Sequence, residues 1–186
     1  DICDSARGQA EHGGLSAFGQ EVVREMNALG MMIDMSHAAE SSFYDALALS
    51  QAPIVCSHSS SRALCSHPRN LTDDQMKALA AQGGVAQVTL YHGFLRHEGE
   101  ATVLDALDHL HHMVQVMGPE HVGIGTDFDG DGGVRGLKDA SELIGFTRQL
   151  LRRRYSESDL QGIWGGNFLR VMRQVQSSAT SHPGLS

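Results

Sequence analysis

Three short apolar runs decide the fold: IDMSH at 33–37, IVCSHSS at 54–60 and VGIGTDFDG at 122–130. The first two end on histidine and the third on aspartates. A fourth run, GVAQVTLY at 84–91, is followed by His92. These runs are apolar throughout rather than alternating, which is the pattern of strands buried on both faces. Segments with helical spacing separate or follow them, at 18–29, 39–51, 75–83, 103–118, 139–154 and 157–176. Strands that alternate with helices predict parallel strands joined by right-handed crossovers. Two architectures fit: a small doubly wound sheet, or half of a (β/α)8 barrel.

Local signals mark the helix ends. Ser16 opens the first helix, in which Phe18, Val22, Met26 and Leu29 are spaced to share a face, and Gly30 is a C-cap candidate. Thr72 and Gln75 form a capping box, while Thr102 and Ser156 stand at the starts of later helices. The Gly165-Gly166 pair predicts a kink in the last helix.

The 186 residues carry a net charge of −8 with no Lys/Arg cluster, which argues against a nucleic-acid partner. Arg152 to Arg154 close a helix, where their charge complements the helix dipole. No apolar stretch reaches the roughly 20 residues of a membrane helix. The opening DICDSARGQAEHGG has no Met and reads like an interior loop, so the chain is expected to be a fragment. Cys3, Cys56 and Cys65 are an odd set without CxxC spacing, neither a disulfide framework nor a zinc ribbon. They tilt the compartment toward the cytoplasm without deciding it.

Active sites of parallel α/β folds gather at the C-terminal ends of the strands. Here those ends carry His37, His58, Tyr91-His92, Asp127 and Asp129. Neighbouring strand tips lie about 4.8 Å apart, so His37 and His58 can meet on one ion. Neutral imidazoles suit Zn²⁺, and a nearby carboxylate can ligate, orient water or move a proton. A calcium loop is disfavoured: Asp127, Asp129 and Asp131 have the spacing, but Lys138 stands where the bidentate glutamate belongs. His109 and His112 are read as an exposed polar helix face rather than a metal pair. No G-x-G-x-x-G or P-loop motif follows a strand.

Longer stretches carry a resemblance. GLSAFGQEVVREMNALGMMIDMSH, APIVCSHSSSRALCSHPRNLTDDQM, HVGIGTDFDG and GGNFLRVM resemble the membrane (renal) dipeptidase family of zinc peptidases, from about Gly14 to Val175. The resemblance implies a (β/α)8 barrel of TIM type, of which this chain covers about the last four βα units. It implies two zinc ions and hydrolysis of a dipeptide by a metal-activated bridging water. By that resemblance His37 and His58 bind the second zinc, Arg69 holds the substrate carboxylate, Asp127 transfers protons, and Phe94 falls near a tyrosine lining the pocket. Asp129 and Asn167 belong to recurring family motifs that shape loops.

The departures matter as much. The first zinc's His-x-Asp pair, the bridging glutamate and the carbonyl-polarising histidine are absent, and Glu11 and His12 do not stand in for them. The expected organisation is a loop at 1–14, the C-terminal half of a metallohydrolase domain at 15–176, and a flexible tail at 177–186. The chain alone is expected to bind zinc poorly, to be inactive and to need the N-terminal half of the domain. Self-association of two half-barrels stays open. The alternatives are another metal-dependent barrel amidohydrolase and a catalytically dead truncated binding module.

Overall fold

The computed structural model describes residues 1–179. Three parallel strands, β1 (Val55–Cys56), β2 (Val85–Val88) and β3 (Val122–Ile124), lie in the order β1-β2-β3. The expected strand at 31–35 is reduced to a single parallel bridge, Asp34 to Val55. Its backbone still runs beside β1, since Val55 N–H donates to Ile33 O and Met35 N–H to Val55 O, both at 2.9 Å. With a neighbour on one side only, half of its backbone groups have no ladder to join. The order of elements is therefore the βα alternation the sequence predicts, and the chain is an α/β fold.

Helices α1 (Ala17–Leu29), α2 (Glu40–Leu49), α3 (Asp73–Ala81), α4 (His92–Leu95) and α5 (Val103–Met117) connect the strands. After β3 come α6 (Leu143–Arg152), α7 (Glu157–Gln161) and α8 (Asn167–Ser177). The predicted caps form. Ser16, Thr72, Thr102 and Ser156 each accept a backbone N–H of their helix, and the last three complete capping boxes. Gly30 takes the left-handed conformation, φ 68°, that ends α1. A π-turn at Gly162–Gly166, with Gly165 at φ 150°, breaks the last helix where the glycine pair predicts a kink. The tail expected at 177–186 coincides in part with α8, which runs through Ser177, and its residues 180–186, including His182, lie outside the described residues.

Successive strand residues face opposite sides. One side, with Ile33, Met35, Ile54, Cys56, Ala86 and Val122, joins a core with Phe43, Met76, Leu110 and Phe146 from the helices. The other side divides by height. At its N-terminal end Val55 and Val85 pack against Val171 and Val175 of α8, which lies across the strand starts. Higher up it is polar, with Asp34, Ser57 and Gln87, and the β3 segment beside Gln87 contributes Gly123 and Gly125. Gln87 lies over both glycines, and a Cβ on Gly125 would meet Ser57 O at 1.7 Å. That close approach brings the end of β3 against the end of β1, on the side from which the Asp127 charge reaches His37 and Arg69.

Two side-chain placements differ from expectation. The buried face of α1 is Gly19, Val23 and Asn27, whereas Phe18 is 61% exposed and Leu29 46% exposed. Gly19 sits against the backbone of Ile2, where a Cβ would lie 1.9 Å from the carbonyl oxygen. The N-terminal loop thus takes the side the apolar spacing had assigned to Phe18. His109 is buried rather than on an exposed face. Its Nδ1 accepts from Ser61 N–H at 3.0 Å, and Nε2–H donates to Leu95 O at 3.1 Å. His112 points elsewhere, to Asp73 at 2.8 Å, so the two share no ligand.

Candidate metal centre

The segments Asp34–His37 and Ser57–His58 lie side by side at the C-terminal end of the sheet. Their histidines meet there, with His37 Nε2 2.8 Å from His58 Nε2 and ring centroids 4.9 Å apart. His37 is exposed and His58 half-buried. Two imidazole nitrogens on one tetrahedral zinc, each at 2.0–2.1 Å, would stand about 3.3 Å apart. The rings would have to open by about half an ångström to admit an ion, well within side-chain rotation. The donor set fits a divalent metal of the zinc type. Partial desolvation by neighbouring atoms, then the charges of Arg69 and His58, lower the His37 pKa, favouring the neutral ring that ligates metal.

Asp34 organises this end of the sheet. Its Oδ1 accepts from Ser36 N–H at 3.0 Å, Ser36 Oγ–H at 2.7 Å and Ser57 N–H at 3.1 Å, and its Oδ2 accepts from Ser57 Oγ–H. Crowding by neighbouring atoms pushes the carboxyl up, but the Ser57 and Ser36 hydrogen bonds together outweigh it and its pKa falls below the usual value. Ser57 Oγ also lies 2.8 Å from His58 Nδ1, and Ser36 Oγ accepts from His58 N–H at 3.1 Å. Both serines directly precede a histidine of the pair. The reading of the strand ends passed over all three residues. The signal was there: a lone aspartate inside an apolar run, and a Ser-His pair closing or following two of the runs.

Arg69 sits below the surface at 3% exposure. One guanidinium nitrogen reaches His58 O at 3.5 Å, and the plane lies 5.3 Å from the Phe94 ring centre. His67 stacks on the same ring at 4.5 Å, and its Nδ1 accepts from Arg69 N–H. Arg69 Nη1 has no hydrogen-bond partner. Burial lowers the Arg69 pKa, and the Asp127 carboxylate is the first influence opposing that fall. The same carboxylate acts on His37. Asp127 adopts a left-handed backbone, φ 56°, and its carbonyl accepts from Gly130 N–H and Gly132 N–H. A Cβ on Gly130 would press within 2.4 Å of Asp127 Oδ1. His37, His58, Arg69, Phe94 and Asp127 therefore share one neighbourhood.

Asn167 lies at the opposite end of the strands, where its amide donates to Pro119 O and Val122 O. Cys56 is fully buried, and burial pushes its thiol pKa up. Among the described residues a second cluster, Asp1, Glu11 and His12, has ligand atoms within 4.8 Å of one another, all exposed. Asp4, whose carboxylate accepts from Glu11 N–H and His12 N–H, folds that loop together. No helix among the described residues is long and apolar enough to cross a membrane.

Known proteins bear on this arrangement. The chain is 44% identical over 174 residues to dipeptidase 3 of Mus musculus, covering 93% of this chain and 35% of that protein. The probable dipeptidase PvdM from Pseudomonas aeruginosa superposes with a TM-score of 0.93 at 31% identity, over 96% of this chain and 60% of that one. A metallo peptidase from Rhodobacter sphaeroides, liganded with a phosphinate mimic of the dipeptide L-Ala-D-Ala, superposes at 0.83 and 31% identity over 87% of this chain and 47% of that one. The chain thus spans 35% to 60% of the length of these proteins. The family model for membrane dipeptidase, peptidase family M19, matches residues 2–184, and the chain belongs to that family.

Proposed function

We propose that this chain is the C-terminal half of a zinc-dependent dipeptidase domain built as a (β/α)8 barrel, with residues 15–176 forming the half-domain and 1–14 leading into it. The observation that carries the reading is the meeting of His37 Nε2 and His58 Nε2 at 2.8 Å beside a buried arginine with an unpartnered Nη1. A buried, unpaired guanidinium N–H costs free energy unless a ligand supplies the acceptor. The free carboxylate of a dipeptide is such an acceptor, and a guanidinium can meet it with two parallel hydrogen bonds. In this reading the polar sheet face of Asp34, Ser57 and Gln87 faces the barrel lumen.

In this reading each side chain has a separate task. His37 and His58 hold one of two zinc ions. Zinc supplies a water activated near neutral pH and polarisation of the scissile carbonyl. Asp127 accepts the proton of the attacking water and returns it to the leaving amine. Arg69 anchors the substrate carboxylate and fixes the distance from chain end to scissile bond, which selects dipeptides over longer peptides. Phe94 and His67 stack beside the guanidinium and keep it in place.

Two histidines fall short of the three protein ligands of a catalytic zinc site. The chain alone therefore binds zinc weakly and does not turn over dipeptides. The test is co-expression with the preceding half of the domain from a relative, followed by zinc-dependent assay on a dipeptide and on its C-terminal amide. Activity on the free acid only, appearing with the added half, is the expected result. Robust turnover by the 186-residue chain, or equal rates on acid and amide, overturns it.

A further inference from the structure

The hydrogen-bond network around His58 can be solved by counting protons, and it assigns a role to two residues outside the ligand set. Each serine hydroxyl has one proton to donate. Ser36 donates its proton to Asp34 Oδ1 at 2.7 Å while accepting from His58 N–H at 3.1 Å. Ser57 donates its own to Asp34 Oδ2. Ser57 Oγ also lies 2.8 Å from His58 Nδ1, and with its proton committed it can only accept there. The proton of the neutral His58 ring must then be on Nδ1. Nε2, which faces His37 Nε2 across 2.8 Å, then carries the lone pair.

We infer that Asp34 and Ser57 are positioning residues that lock His58 in its Nδ1–H tautomer through the relay Asp34–Ser57–His58. The consequence for metal affinity rests on the proposed function; the tautomer itself does not. A ligating histidine usually donates its other ring N–H directly to a carboxylate, a backbone carbonyl or water. Here a serine stands between the ring and the carboxylate, which makes the assignment sensitive to one atom. In Asp34→Asn the amide oxygen takes the place of Oδ1, which receives three donors, and the amide nitrogen faces Ser57. That nitrogen donates to Ser57 Oγ, so the serine proton is released toward His58 Nδ1. The ring must then shift to Nε2–H and lose its outward lone pair. An isosteric substitution at a residue that touches no ligand thus reverses the imidazole.

The experiment is long-range ¹H–¹⁵N correlation of the histidine rings in the metal-free 186-residue chain at neutral pH, beside titration with zinc alone against a chromophoric chelator. The native chain is expected to show His58 with a protonated Nδ1, and Asp34→Asn to show it with a protonated Nε2. Zinc affinity is expected to fall about 10–100-fold in the variant. Should Asp34→Asn fail to fold, Ser57→Ala is expected to mix the two tautomers and Ser57→Thr, which keeps the hydroxyl, to restore Nδ1–H. A native Nε2–H signal, or Nδ1–H unchanged in Asp34→Asn or in Ser57→Ala, overturns the relay. A tautomer reversal with unchanged zinc affinity upholds the relay and removes His58 from the metal ligands instead.

Discussion

The two ends of the same three strands are built on opposite rules. At the N-terminal end Asn167 and Arg170 have found their partners within the chain. Asn167 donates to Pro119 O at 2.7 Å and Val122 O at 2.8 Å, and Arg170 donates to Gly83 O and Glu120 O, both at 2.9 Å. Beneath them Val171 and Val175 close the sheet against Val55 and Val85. At the C-terminal end two ring nitrogens face each other and a buried guanidinium nitrogen has no acceptor. The α8 end consists of groups that satisfy one another. The histidine end leaves a buried guanidinium N–H without an acceptor, a cost that a ligand of the proposed kind would return.

That contrast breaks most sharply at Arg69. In the domain completed by its N-terminal half, Arg69→Met is expected to lower kcat/KM for a dipeptide about 10²–10³-fold, the usual cost of removing one partner from a buried charge pair. The C-terminal amide of the same dipeptide should lose little. Stability should not fall with activity, because methionine fills the space beside Phe94 without an unpartnered N–H. A urea midpoint that drops as the activity drops would show that Arg69 is a scaffold residue and that the contrast is false.

At the opposite end the expectations exchange places. Asn167→Ala leaves Pro119 O and Val122 O without their donor and is expected to cost about 2–3 kcal/mol, read as a lower urea midpoint at unchanged slope. Affinity for zinc, measured under conditions where the variant is folded, should be that of the native chain. A change in zinc affinity without a change in stability would make the α8 end part of the site.

What the sequence disclosed follows the same division. Caps at Thr72, Thr102 and Ser156 are local chemistry and were legible residue by residue. The βα alternation and the histidines closing two runs were legible because strand ends in a parallel sheet are neighbours. The face of α1 was not, because the contact between Gly19 and Ile2 joins segments that only the folded chain brings together. Nor was the short bridge at Asp34, whose length depends on a neighbouring strand rather than on its own residues. Asp34 and Ser57 were hidden for a related reason. A relay shows itself only when both ends of each hydrogen bond are known. His109 looked like part of an exposed polar face with His112, and only the loop folded over it reveals a clamp.

His109 provides the smallest and most local test. It supports the loop that carries Arg69 by joining Ser61 N–H to Leu95 O, so it is a satisfied group lying behind the unsatisfied end. Burial lowers its pKa below the ordinary histidine value. The Leu95 carbonyl and the charges of Asp105 and Asp108 work the other way, and His112 adds to the fall. Because the folded value is below the unfolded one, the unfolded chain takes up the proton first. The contribution is whole above the unfolded value, about 6.5, and is lost as pH falls below it, by at most about 1.4 kcal/mol per pH unit for one proton. Comparing urea stability of the native chain with His109→Gln from pH 7.5 to 5 isolates that slope from the other histidines. The difference should shrink toward acid, and the Ser61 amide should lose hydrogen-exchange protection before the amides of α8 do. A difference that is flat with pH would mean that the clamp is not held by a neutral ring, and the loop beneath Arg69 would need another support.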